Sequence, residues 1–239
     1  MTRDQLLVPI AIIVAGVIIA VAVYFINRKA VTVPPGQVNN TAVRAYDPSQ
    51  DHIFGNPSAP IKIIEYSDME CPHCKTYAVT LKALVEEYGP TGEIAWVYRH
   101  FPIVELHAKA PKESEAAECA ADVGGGDAAF FKFIDRVYEV TPSNNGLDLA
   151  ALPDIAAAVG IDKEKFKACL DSNKYKDKVA SQVKEALDLG IRGTPHSFIS
   201  VAGNFLPVEG AQSVSAMRSA LNAIIAELHN TTGTSTPTQ

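Results

Sequence analysis

The chain has 239 residues, of which 47% are hydrophobic and 20% charged, enough for one good-sized domain, or a domain with an accessory subdomain, around a real apolar core. This composition excludes a disordered or collagen-like polypeptide, and four cysteines are too few for a disulfide-stapled miniprotein. A net charge of −6 with scattered lysines and arginines excludes the basic footprint that a phosphate backbone requires, so nucleic acid is not an expected partner.

Residues 5–27 carry no charged side chain, and as a helix residues 6–26 (LLVPIAIIVAGVIIAVAVYFI) would rise roughly 30 Å, about the thickness of a bilayer's hydrocarbon core. Residues 1–30 are therefore expected to form an N-terminal transmembrane anchor. A cleaved signal peptide is the alternative. Against it, the apolar stretch is longer than the roughly 7–15 residues of a signal h-region, and no small-x-small cleavage site precedes Arg28 and Lys29. The flanking charges, Arg3 against Arg28 and Lys29, do not settle topology. Residues 31–51, rich in Pro, Asn and small polar side chains, suit a flexible linker. The folded domain is expected over residues 52–229, followed by a disordered tail at 230–239.

Within the domain, residues 61–66 (IKIIEY) read as a strand, residues 72–88 as a helix closed by Gly89-Pro90, and residues 93–99 (EIAWVYR) as a second strand. That order is a βαβ unit with a parallel strand pair. Residues 107–190 change to alanine-rich helical segments at 107–121, 127–140, 147–159, 163–171 and 175–189. Pro195 then introduces a strand at 196–201, a turn at Gly203-Asn204, a partner strand at 205–208 and a final helix at 213–228. The fold class is α/β, βαβ…ββα with an inserted helical subdomain.

Cys71-Pro72-His73-Cys74 falls where the first strand meets the first helix, so both sulfurs lie at a helix N-terminus whose unpaired N–H groups and macrodipole favour negative charge. Cys71 is the expected nucleophile, its thiolate supported by those donors and by His73 when protonated. Cys74, facing inward, is placed to resolve a mixed disulfide. Pro72 suits the first helical position. Half of a zinc site is the alternative, but Cys119 and Cys169 do not form a second closely spaced pair, and no metal is expected. A CxxC between strand and helix of a βαβ unit is instead a thioredoxin-type signal, and Gly193-Thr194-Pro195 entering a later strand is where such a fold carries a cis proline against the CxxC. Glu65, six residues before Cys71, would tune Cys74's proton transfers if poorly solvated. An isolated Glu on a strand more often lines a solvated face.

These features together resemble the DsbA-like branch of thiol–disulfide oxidoreductases over roughly residues 52–229. The resemblance implies a thioredoxin fold with a helical insertion, acting without a cofactor on reduced or unfolded exported proteins outside the cytoplasm, as a monomer reoxidised by a quinone-linked membrane partner. It implies Cys71 as exposed nucleophile, Cys74 as buried partner, His73 as the thiolate stabiliser, Pro195 as the cis proline and Glu65 as the buried acid, and Pro72 and Thr194, beside His73 and Pro195 in the chain, are expected to share in stabilising the thiolate and binding substrate. Thr194 departs from the valine of the best-known Gram-negative members and leaves the redox direction open. Stabilising a thiolate favours the reduced protein and so the donation of disulfides, which makes oxidase the first expectation, with reductase, isomerase or a tethered chaperone without turnover as alternatives.

Cys119 and Cys169 lie on two helices of the insertion and are either a structural disulfide or two buried thiols; an oxidising compartment favours the disulfide. His100, His107 and His196 read as ordinary, partly exposed histidines, and Phe130, Phe131 and Phe133 as subdomain core.

Overall fold

The computed structural model describes residues 38–232. The expected anchor at 1–30, linker residues 31–37 and tail residues 233–239 lie outside the described residues, among which no helix is long and apolar enough to cross a membrane.

Among the described residues five strands, β1 (His52–Gly55), β2 (Ile61–Ser67), β3 (Ile94–His100), β4 (His196–Val201) and β5 (Asn204–Glu209), form one sheet in the spatial order β1-β3-β2-β4-β5. The β2–β3 pair is parallel and the others are antiparallel. Helix α1 (Pro72–Glu87) makes the crossover between β2 and β3, as a parallel pair demands. Between β3 and β4 come α2 (Ala110–Gly124), α3 (Asp127–Val140), α4 (Leu152–Ala158), α5 (Lys163–Asp171) and α6 (Lys176–Asp188), and α7 (Val214–Thr232) ends the domain. The architecture is the expected thioredoxin-like α/β fold with a helical insertion.

Strand periodicity divides the core in two. Ile61, Ile63, Ile94, Trp96 and Tyr98 point into a large cluster shared with Leu81 and Leu84 of α1 and with Phe130 and Phe133 of α3. Ile64, Tyr66, Ala95 and Val97 point the other way, against Ala186 of α6 and Leu189. Both central strands are therefore covered on both faces, which is why they read as near-continuous apolar runs.

Several boundaries differ from expectation. Strand β1, an antiparallel edge strand on β3, has no alternating pattern in its four residues and escaped notice. The linker does not extend to residue 51. Val43 is buried in the second core, the Asn39 N–H donates to the Leu189 carbonyl at 2.9 Å, and Asp51 is buried beside Arg99. Arg99 is wholly buried on β3: Nε donates to Asp51 Oδ1 at 3.0 Å, Nη1 to Glu185 Oε1 at 2.7 Å, and Nη2 to the Arg44 carbonyl at 2.9 Å. A buried guanidinium must be matched by charge and acceptors, and residues 44–51 supply them, so this polar stretch belongs to the domain. The predicted helix at 147–159 becomes a 3₁₀ turn at Leu149–Ala151 followed by α4, with Pro153 in the first turn of α4, where a missing N–H is tolerated. Residues 230–232, expected in the tail, complete the last turn of α7.

Candidate active site

Helix α1 begins at Pro72, and Cys71 is its N-cap residue, with extended backbone (φ −79°, ψ 120°). An N-cap side chain normally accepts a hydrogen bond from the second or third helical N–H; here no side-chain oxygen does so, and the N–H groups of His73 and Cys74 face the Cys71 sulfur. The sulfur thus stands where a capping oxygen would. The Cys71 thiol ionises far below the ordinary thiol value, at about 5. Donation from the Cys74 thiol does most, partial burial works against it, and the backbone N–H of Cys74, the Thr194 side chain and the backbone N–H of His73 add to it. His73 itself is exposed and contributes through its main chain.

Cys74 has the opposite character. It is fully buried, accepts from the Asp68 N–H at 3.4 Å, and its pKa is driven well above that of a free thiol by burial, by the bond to Cys71 and by the charge of Glu65. The two free sulfurs are therefore a thiolate and a thiol at neutral pH, the asymmetry that an exchange site needs. Cys71 was expected to be exposed; it is only 6% exposed against 0% for Cys74, because the segment carrying Thr194 lies over it, with Cys71 Sγ 3.5 Å from the Thr194 carbonyl oxygen. The Thr194–Pro195 peptide bond is cis, Thr194 is half-buried and Pro195 buried.

Glu65 is not on a solvated face. It sits on β2 opposite Tyr98 of β3 and Ser197 of β4, at 0% exposure, and its carboxylate accepts from Ser67 Oγ (2.8 Å) and Trp96 Nε1 (2.9 Å). Burial raises its pKa to about 8, against the two hydrogen bonds, which lower it. A carboxyl with this value beneath a buried thiol can give or take a proton near neutrality.

Sequence reasoning missed the segment before the cysteines. The Asp68 carbonyl accepts from the Cys71 N–H at 3.1 Å, its N–H reaches Cys74, and its carboxylate accepts from the N–H groups of Glu70 (2.9 Å) and Ile103 (2.8 Å). Asp68, Glu70 and Glu113 are all at 0% exposure. The signal available was a density of acids, Asp68 and Glu70, in an otherwise apolar stretch. His100, His107 and His196 are buried rather than partly exposed, at 1%, 6% and 6%; His100 pairs with Glu118 at 3.1 Å and His107 with Asp68 at 2.9 Å. Phe130, Phe131 and Phe133 are core. Cys119 on α2 and Cys169 on α5 form a disulfide, away from the CxxC in the chain and on different elements.

A low-pKa sulfur at a helix N-terminus, a buried partner thiol, a proline-led segment across the pair and a poised carboxyl define a thiol–disulfide exchange site on a thioredoxin-like fold. The thioredoxin family model Thioredoxin_4 matches residues 47–223, and the chain belongs to this family. Among solved structures it is similar to Pseudomonas aeruginosa DsbA2 (26% identity, TM-score 0.61, covering 76% of this chain and 96% of that one) and, at the level of fold, to Wolbachia pipientis alpha-DsbA1 (24%, 0.65, 79% and 96%) and Bacillus subtilis BdbD (16%, 0.63, 74% and 94%). With this site, these matches make the chain a thiol–disulfide oxidoreductase. Among curated proteins it is similar to one named Na(+)/H(+) antiporter NhaA 1 from Mycobacterium sp. (strain KMS), 28% identical over 77% of this chain. The chain spans 29% of that relative's length.

Proposed function

We propose that the protein is a membrane-tethered, extracytoplasmic disulfide oxidase that donates a Cys71–Cys74 disulfide to reduced exported proteins. In the proposed cycle a client thiolate attacks Cys71 Sγ, the Cys71–Cys74 bond breaks, and a client–Cys71 mixed disulfide forms. Cys74 leaves as a thiolate and takes a proton, for which Glu65, a buried carboxyl poised near neutrality whose charge acts on Cys74, is the proposed donor. A second client thiolate then attacks the client sulfur of the mixed disulfide and expels Cys71 as a thiolate. Two electrons have passed from the client to the protein, and a membrane oxidant, such as a quinone-linked partner, would remove them. Tethering rests on the apolar run at 6–26, and the extracytoplasmic setting on the Cys119–Cys169 disulfide, a bond that persists in oxidising compartments.

The observation behind the oxidase direction is the stabilised Cys71 thiolate. Whatever lowers the free energy of the reduced form makes the disulfide a stronger electron acceptor, by about 30 mV for each tenfold change in the equilibrium constant. Equilibration of the full chain with glutathione buffers, read by alkylation and intact mass, tests it. A potential far above the roughly −270 mV of thioredoxin is expected. A value as reducing as thioredoxin's would overturn the oxidase reading in favour of a reductase.

A further inference from the structure

The segment that carries the CxxC is unexpectedly acidic. Asp68, Glu70 and Glu113 are all fully buried within a few residues of Cys71 or packed against that segment, where uncompensated negative charge would oppose a thiolate. Two of the three are accounted for. Glu113 lies against Glu70 and is held neutral, its pKa raised to about 9 by burial and then by Glu70. Glu70 accepts from the backbone N–H of Asn145 at 2.8 Å and of Leu147 at 3.4 Å.

Lys109 acts on Glu113, while the Asp68 carboxylate is bonded directly to a histidine ring. His107, 6% exposed, places Nδ1 2.9 Å from Asp68 Oδ2, and its own N–H donates to the Ile103 carbonyl at 2.8 Å, while the Ile103 N–H donates to the same Asp68 oxygen at 2.8 Å. The ring is thus locked to a residue whose backbone holds both active-site cysteines, through the Cys71 N–H at 3.1 Å and Cys74 Sγ at 3.4 Å.

We propose that His107 is a positioning residue for thiol–disulfide exchange: as an imidazolium clamped by Asp68, it offsets the buried acids around the CxxC and holds the Cys71 thiolate in its stabilised state. The proposal deepens the oxidoreductase reading of this same site and rests on it. The groups facing the ring support its charged form. Burial opposes the imidazolium, but the hydrogen bond to Asp68, the charges of Asp68 and Cys71, and a further bond to the Asn144 side chain outweigh it and raise the His107 pKa. His73, the histidine that the motif itself draws attention to, is exposed to solvent.

The test is the redox equilibrium of full-chain His107→Gln with glutathione, beside the wild type and His107→Lys. Glutamine keeps a donor for Asp68 and removes the charge. The expected result is an equilibrium constant about tenfold less oxidising, a shift of about 30 mV, with a higher Cys71 pKa by absorbance at 240 nm and recovery of at least half the shift in His107→Lys. A residue that merely braces the fold would lower the melting temperature and leave the potential where it was; a folded His107→Gln with an unchanged potential overturns the proposal. If His107→Gln does not fold, the wild type decides by linkage, since whatever His107 does for the thiolate the thiolate must do for His107. The His107 ring protons, followed by NMR, should titrate about one pH unit higher in the reduced protein than in the disulfide form, and equal values overturn the proposal. Wild-type protein that fails to exchange with glutathione at all sinks the oxidoreductase reading and this inference with it, an outcome distinct from exchange at an unaltered potential.

Discussion

Two buried charged groups on opposite faces of the central strands, Arg99 and Glu65, are treated in opposite ways. On one face Arg99 is saturated: Asp51, Glu185, the Tyr66 hydroxyl and the Arg44 carbonyl leave it no unmet donor direction of consequence, and Asp51 is held below its ordinary pKa by Arg44 and Arg99 despite its burial. On the other face Glu65 has two neutral donors, Ser67 and Trp96, and no cation, so burial prevails and its carboxyl is neutral over much of the physiological range. A matched ion network fixes the N-terminal segment to the sheet; an unmatched acid costs stability and leaves a proton free to move. The chemistry lies beside the unmatched acid, under α1.

Breaking the matched side should have the larger effect. Arg99→Met leaves Asp51 and Glu185 without their buried partner, and a loss of about 3–5 kcal/mol is expected from urea denaturation; a loss under about 1 kcal/mol would show that the network is not coupled to the fold. The opposite sign is expected for Glu65→Gln. Its amide oxygen can keep the Trp96 donor while its NH₂ turns to the Ser67 hydroxyl, and the penalty on ionising a buried acid disappears. The penalty is absent below about pH 4.5, grows as pH rises toward the folded value of about 8, and amounts to about 3 kcal/mol at pH 7. The reduced variant should therefore be more stable than wild type at pH 7 and equal to it near pH 4.5, while exchanging disulfides more slowly.

Acid titrates matched pairs on both faces. Asp51 and Glu118 both have depressed pKa values, Glu118 through its bonds to His100 and His52 against the cost of burial. Their contribution is complete above the ordinary carboxylate range and is lost as pH falls through their lowered values. Stability should thus decline below about pH 4, and Arg99→Met should flatten part of that decline; an equally steep decline in the variant would remove Asp51 from the account. An effect of the opposite pH dependence to Glu65 belongs to the cysteine pair. A thiol that ionises at about 5 when folded stabilises the reduced protein increasingly as pH rises from about 5 toward the ordinary thiol range. The melting temperature of the reduced form should climb relative to the oxidised form over that interval, and parallel curves would contradict it.

Much of this was legible in the chain itself. The βαβ order, the helical insertion and the CxxC at a strand–helix junction follow from periodicity and turn residues, because 61–66 and 94–100 are covered on both faces and so read as unbroken apolar runs. The helix N-terminus alone implied a stabilised Cys71. What was hidden depends on pairings across the fold. Nothing local separates a solvated Glu65 from one roofed by Trp96, 31 residues on. The segment 38–51 looks like a linker because its packing partners, Arg99 and Leu189, are remote in sequence. His107 looks ordinary until Asp68, 39 residues earlier, is brought beside it.

The central claim is that Cys71, at the head of α1, is held as an anion. Thiolate absorbance at 240 nm of the reduced full chain, titrated from acid to alkaline pH, measures it directly. A single sulfur ionising near 5, with the second remaining protonated through the neutral range, is the predicted result; two sulfurs that both ionise at 8.5 or above would contradict it.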